Sequence, residues 1–115
     1  MVHDPGRLLL VTFPFSDQTG LKQRPVLVVS GVAFNQGEDF VVVPLSSRVS
    51  PDDHWGIPIY DKDSFFPQTG LRQSSSIKWT KPMTISSKVV HRRLGIIPAA
   101  LLAEVQGKLQ SLFVA

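Results

Sequence analysis

The sequence predicts a mainly β domain (α+β), a small strand-rich barrel closed by a C-terminal amphipathic helix. Three observations lead there. First, three apolar, β-branched runs, Arg7 to Phe15, Pro25 to Ser30 and Phe40 to Leu45, are each bounded by Gly, Pro, Asn or Ser, which is how strands read. Second, shorter runs of the same kind follow at Trp55 to Tyr60, Ser75 to Trp79, Met83 to Ile85 and Lys88 to Leu94. Third, beyond Pro98 the apolar spacing becomes helical: Leu101, Leu102, Val105, Leu109, Leu112 and Phe113 form one stripe.

Taken in order, the first strand has a continuous apolar middle, so both of its faces should be covered. Pro14 puts its end at an edge or a bulge, because proline cannot donate to a ladder. Ser16 to Gln23 is polar, carries Gly20 and reads as a flap between two rigid strands, a common place for binding residues. Arg24 precedes Pro25, which biases it toward an extended backbone, so its side chain should stand off the start of strand two.

If strands two and three pair antiparallel through Gly31 to Glu38, the centre falls near residue 35, so Val26 faces Pro44 and Arg24 faces Ser46. Facing Cα atoms in such a pair lie only ~4.5–5.5 Å apart. The Arg24 guanidinium and the Ser46 and Ser47 hydroxyls would then share one end of the sheet, unless a bulge turns the side chains over.

Val49 to His54 reads as a surface loop, and Asp61 to Ser74 as a segment of turn formers broken by Phe65-Phe66. Pro98 suits the first helical position. Gly107 costs that helix ~1 kcal/mol relative to Ala, and the stripe should pack on the sheet.

With 115 residues, 43% of them hydrophobic, and no repeat or linker composition, the chain reads as one domain, residues 1–115. No apolar run approaches the ~20 residues of a membrane span. The N-terminus lacks the basic segment and apolar core of a secretory signal, so a cytoplasmic protein is expected. The absence of cysteine excludes disulfides, thiolate catalysis and Cys-based zinc sites. The acidic pairs Asp52-Asp53 and Asp61/Asp63 have no second cluster at a metal spacing, so no metal and no cofactor are expected. A net charge of +3 is compatible with a polyanionic partner, nucleic acid or an acidic protein, and equally with an ordinary small soluble domain.

Several motifs occur together and in order: Phe13-Pro14-Phe15-Ser16-Asp17, Lys22-Gln23-Arg24-Pro25-Val26-Leu27-Val28-Val29-Ser30 with Phe34-Asn35, Val43-Pro44-Leu45-Ser46-Ser47-Arg48, Gly70-Leu71 with Ser76-Ile77-Lys78, and Leu94-Gly95 ahead of the helix. In this the chain resembles the MazF/PemK family of toxin endoribonucleases from about Gly6 to Phe113. The resemblance implies an SH3-like barrel, a homodimer, metal-independent and sequence-selective cleavage of single-stranded RNA, and a cognate acidic antitoxin that silences it. It maps a catalytic pair onto Arg24 and Ser46. The chain departs from the family at Arg7 and at Ser75, where many relatives carry aspartate, and Ser46 replaces a common threonine.

The chemistry is coherent without a metal. RNA carries its own nucleophile, the 2′-hydroxyl, and attack builds charge on phosphate oxygens that a fixed cation and hydroxyl donors stabilise. Arginine matches phosphate geometry and stays charged; with a pKa of ~12.5 or higher it is a poor general base. Lys22, Ser47, Arg48 and Lys78 flank the pair and are the expected RNA-binding residues.

Other readings stay open. Arg24 can form a surface ion pair with Asp17. Ser46 and Ser47 can be an ordinary strand end, and Lys88, His91, Arg92 and Arg93 a solvated face. His54 can be a solvated loop residue, and Phe15 and Trp79 core aromatics instead of base-stacking platforms. The barrel can also serve a non-enzymatic gyrase poison, or a module that binds RNA or an acidic peptide without cutting.

Overall fold

The computed structural model describes residues 2–14 and 21–114. Seven strands follow the chain: β1 (Arg7–Pro14), β2 (Leu21–Val28), β3 (Asp39–Ser46), β4 (Ile57–Ile59), β5 (Ser75–Ile77), β6 (Met83–Ser86) and β7 (Val90–Ile96). Two short helices, α1 (Val32–Asn35) and α2 (Phe66–Thr69), interrupt them, and α3 (Ala99–Ser111) ends the chain. The order across the sheet is β4-β5-β3-β2-β1-β7, with β6 on β3. All the ladders are antiparallel. No ladder joins β4 to β7 among the described residues, so the expected barrel is barrel-like and open.

β1 buries both faces, as its unbroken apolar middle requires. Leu8 joins Leu27, Val43, Leu45, Ile77 and Val105 in one core. Leu9 and Val11 join Val26, Val28, Phe40 and Val42 in a second. Each fully buried Leu or Val contributes ~1.5–3 kcal/mol of transfer free energy. In α3, Val105 is fully buried, with Leu101, Leu102 and Leu109 packed beside it. The end of the expected stripe does not pack: Leu112 is 39% and Phe113 75% exposed, because the helix stops at Ser111. Pro98 is the residue before the first helical turn, not within it.

The predicted register of strands two and three is the observed one: Val26 pairs with Pro44, Leu27 with Val43 and Val28 with Val42. Its extension to Arg24 and Ser46 is not. β3 leaves β2 after Pro44 and continues against β5, where Leu45 pairs with Ile77 and Ser46 with Ser76. The Pro44 carbonyl accepts the Lys78 N–H at 2.9 Å, on the β5 side. Lys22 and Gln23 are strand, not flap, because they continue the β1 ladder opposite Phe13 and Thr12. Phe15 to Gly20, the rest of that expected flap and motif, lie outside the described residues.

Two buried polar residues fix the frame. Asn35, 3% exposed, donates from Nδ2 to the carbonyls of His3 (2.7 Å) and Ser30 (2.9 Å) and accepts from the Ser30 hydroxyl. It thereby ties the N-terminal segment to the β2–β3 connection. His3 itself is buried against Phe40, and among the described residues its Nδ1 has no hydrogen-bond partner. The end of α2 lies directly on β7. A Cβ at Gly70, whose φ is +71°, would overlap the Leu94 carbonyl, and a Cβ at Gly95 would overlap the Gln68 carbonyl.

Two outcomes follow from this packing. Gly95→Ala and Gly70→Ala should each lower unfolding free energy by at least about 2 kcal/mol in urea titrations, since backbone must move and, at Gly70, a left-handed conformation is strained. Burial, then the Arg93 charge, hold the His3 pKa below its usual value. The unfolded chain gains this proton as pH falls through about 6.5 while the folded chain resists. Stability is therefore full above about pH 6.5 and declines below it, toward the folded-state pKa. In melts across that range, His3→Leu should flatten the decline relative to the parent.

Candidate functional site

β2 carries Lys22, Gln23 and Arg24 along a strand that is paired to β1 but has lost β3 as its other neighbour. This divergence opens a cleft of about 530 Å³. One wall is Lys22, Gln23, Arg24 and Pro25 of β2, and another is Ser47 just after β3. The α2–β5 segment supplies Gly70, Leu71, Arg72, Gln73 and Ser75, and β7 supplies Arg92 and Leu94. Leu10 and Leu45 complete an apolar lining. The volume lies in the ~300–1,000 Å³ range of small-ligand pockets.

Among the described residues, four of the lining residues are cations, Lys22, Arg24, Arg72 and Arg92, and none is Asp or Glu. Like charges gathered around a concavity raise its positive potential and attract anions. The loop that carries Arg72 is held in place: the Ser75 hydroxyl donates to the Gln73 carbonyl at 3.0 Å, and the Ser74 hydroxyl accepts the Asp61 N–H at 2.8 Å.

The expected site residues divide between two places. Lys22, Arg24 and Ser47 line the cleft, whereas Ser46, Arg48 and Lys78 are not among its lining residues. Ser46 is opposite Ser76, and its Oγ accepts the Arg48 N–H at 3.1 Å. The Lys78 ammonium donates to Asp53 Oδ2 at 2.8 Å, and Asp53 Oδ1 accepts the Trp55 N–H at 2.9 Å. The Lys78 bond, then the Trp55 one, hold the Asp53 carboxyl below its ordinary range. Trp55, largely exposed, leans on buried Trp79 with ring centroids 5.7 Å apart. Trp79 is therefore a core residue rather than a stacking platform.

Arg72 and Gln73 were missed by sequence reasoning. Their only signal was adjacency to Gly70-Leu71, and proximity to β2 comes from the α2–β7 contact, which no local pattern announces. Arg92 lines the cleft, while its neighbours His91 and Arg93 do not. Among the described residues no three His, Asp or Glu side chains group as metal ligands, and no helix is long and apolar enough to cross a membrane.

Comparison with known proteins identifies this frame. Residues 4–113 match the family model described as PemK-like, MazF-like toxin of type II toxin–antitoxin system. The MazE–MazF complex of Deinococcus radiodurans is similar at 26% identity over 97% of this chain and 96% of the other, with a TM-score of 0.76. MazF of the same organism, crystallised in another form, is 25% identical over 100% and 99% of the two chains, also at 0.76. An endoribonuclease from a Mycobacterial species, in complex with its cognate antitoxin, shares the fold at 16% identity over 96% and 91% of the two chains, with a TM-score of 0.65. A search by sequence of functionally characterised proteins gave no match.

The Asp53 carboxylate is the fastening of the loop before β4. Asp53→Ala, which removes both side-chain acceptors, should free Trp55 from its backbone tether and raise iodide quenching of tryptophan emission, with Trp79 still shielded. Protonation should loosen the parent loop only as pH falls through a value below the ordinary 3.8.

Proposed function

Because the chain belongs to the PemK-like, MazF-like family of toxins of type II toxin–antitoxin systems, we propose that it is a sequence-selective endoribonuclease of single-stranded RNA. It works without a metal, as a homodimer, and is silenced by a cognate acidic antitoxin. The observation that carries this reading is the cleft on the Arg24-Pro25 strand, lined among the described residues by four cations and no acid. Single-stranded RNA is the polyanion whose unstacked bases can enter a concavity of this size.

In the reaction, the 2′-oxygen bonds to phosphorus and the bond from phosphorus to the 5′-oxygen breaks. A proton leaves the 2′-hydroxyl and one is delivered to the departing oxygen. Arg24 stabilises the charge that builds on the phosphate oxygens, as a guanidinium fork does for a planar pair of acceptors. A hydroxyl from the end of β3 adds a donor. Ser46 is the residue implied by family position, and Ser47 is the one that lines the cleft. The antitoxin partner is supported by the MazE–MazF complex of the Deinococcus radiodurans relative, and the excess of basic residues in this chain suits an acidic protein.

Cleavage of a long RNA in EDTA tests the proposal. Arg24→Ala should lower the rate at least about a hundredfold, with melting temperature and oligomeric state kept. Ser46→Ala and Ser47→Ala, assayed side by side, identify the hydroxyl by which of them loses rate. Undiminished cleavage by Arg24→Ala removes it from the mechanism. RNA that is bound and left intact by the parent protein makes the chain a binding module instead.

A further inference from the structure

Resting on the ribonuclease reading, we propose that the cleft contains a second, separate nucleotide subsite: Arg72 and Arg92 hold a phosphate other than the one Arg24 serves, and the leucine lining beside them receives a base.

The cleft is larger than a single phosphodiester requires, at about 530 Å³. Its cations come from three separate parts of the chain: β2, the α2–β5 segment and β7. Arg72 and Arg92 are exposed and belong to no ion pair among the described residues, whereas Lys78 and Lys88 are paired with Asp53 and Glu38. Two arginines at one concavity, with no acid among its described lining residues, repel one another and are stabilised together by an anion. In the same lining, Leu71 and Leu94 provide an apolar surface, both partly buried and packed against the first core. An arginine pair beside an apolar floor matches the two halves of a nucleotide, the phosphate and the face of its base.

The subsite is also preorganised, which reduces what ordering must cost on binding. The Ser75–Gln73 bond fixes the loop from within. The backbone contacts at Gly70 and Gly95 set the loop against β7. Arg72 is therefore a positioning residue for substrate, with no part in bond-breaking.

The test uses the full chain and two probes: a long RNA for cleavage, and a short randomised 2′-O-methyl RNA, which has no 2′-hydroxyl to attack, for binding by fluorescence anisotropy. Arg72→Gln and Arg92→Gln should each weaken binding of the analogue about tenfold. Each should flatten the slope of log affinity against log salt by about 0.7, one single-strand phosphate. In cleavage, KM should rise with kcat little changed, the reverse of Arg24→Ala, and Arg72→Lys should recover part of the affinity. Lys108→Gln removes the same charge from the exposed face of α3 and should leave binding as it was. Unchanged affinity and slope in both arginine variants, or an equal loss in Lys108→Gln, overturns the subsite. If the parent cleaves RNA and these variants keep its KM, the subsite falls and the nuclease reading stands. If the parent binds the analogue through Arg72 and Arg92 but cleaves nothing, the nuclease reading falls and the subsite stands as an RNA-binding site. If it neither binds nor cleaves, both fall.

Discussion

The backbone of α2 lies on the backbone of β7 with no side chain between them. Gly70 meets the Leu94 carbonyl, and Gly95 meets the Gln68 carbonyl, at separations where any Cβ would overlap. Contacts this close are available only to glycine, and Gly70 is also in the left-handed region, which other residues enter at a cost of ~1–2 kcal/mol. Everything on the far side of the cleft follows from this contact. The segment after α2 leaves at a set height above β7, which brings Arg72 and Gln73 to the same cleft as Arg92 and Leu94. The two glycines are twenty-five positions apart in sequence, counting from 70 to 95, and do nothing chemical themselves, yet they decide where the charges of the site stand.

The near side is set by a different constraint. β3 is shared: β6 pairs with its first half, β2 with Val42 to Pro44, and β5 with Leu45 and Ser46. A strand that changes partners must turn away from one of them, and here β2, from Pro25 back to Leu21, has no second ladder among the described residues. That departure creates the concavity, with Leu45 and Ser47 of the turning strand on one side and β2 on the other. Along a strand, successive side chains point to opposite faces, so the residues two apart, Leu45 and Ser47, share the cleft and Ser46 does not. The Ser46 hydroxyl accepts the Arg48 N–H instead, an ordinary strand-end turn.

Much of the fold was legible because its signals are local. The apolar runs of β1 and β3, the bounding Gly and Pro residues and the helical stripe each carry a period that backbone geometry dictates. The β2–β3 register was legible as well, because a short connection leaves few ways to close a pair. What was not legible has a common cause. α2 is one turn of Phe66–Thr69, too short to show a period, and it is held by tertiary contact rather than propensity. The Arg24–Ser46 pairing failed because extrapolating a ladder assumes that two strands stay together, and the hand-over at Pro44 depends on β5, a strand far along the chain. The packed end of the α3 stripe failed at Leu112 and Phe113 because periodicity says which residues share a face, not where the helix itself ends.

The same distinction separates the cations that belong to the cleft from those that do not. Lys78 sits one residue past β5 and close to Ser46 in the ladder, so nearness in the sheet favours it as a substrate contact. Its ammonium is instead engaged by Asp53, which also holds the Trp55 amide, and that pairing makes it a fastening for the loop before β4. Arg72 has no motif to recommend it, stands in no ion pair among the described residues, and lines the concavity. A cation already matched by a carboxylate has little to gain from a phosphate, since binding must first break an ion pair. A cation held among other cations gains from any anion that enters. The electrostatic role of a basic residue here is therefore decided by the sign of what surrounds it, and a roll of Lys and Arg positions along the chain carries no such information. The basic lining of the cleft, without an acid among the described residues, and not the modest net charge of the chain, is what suits it to an anion.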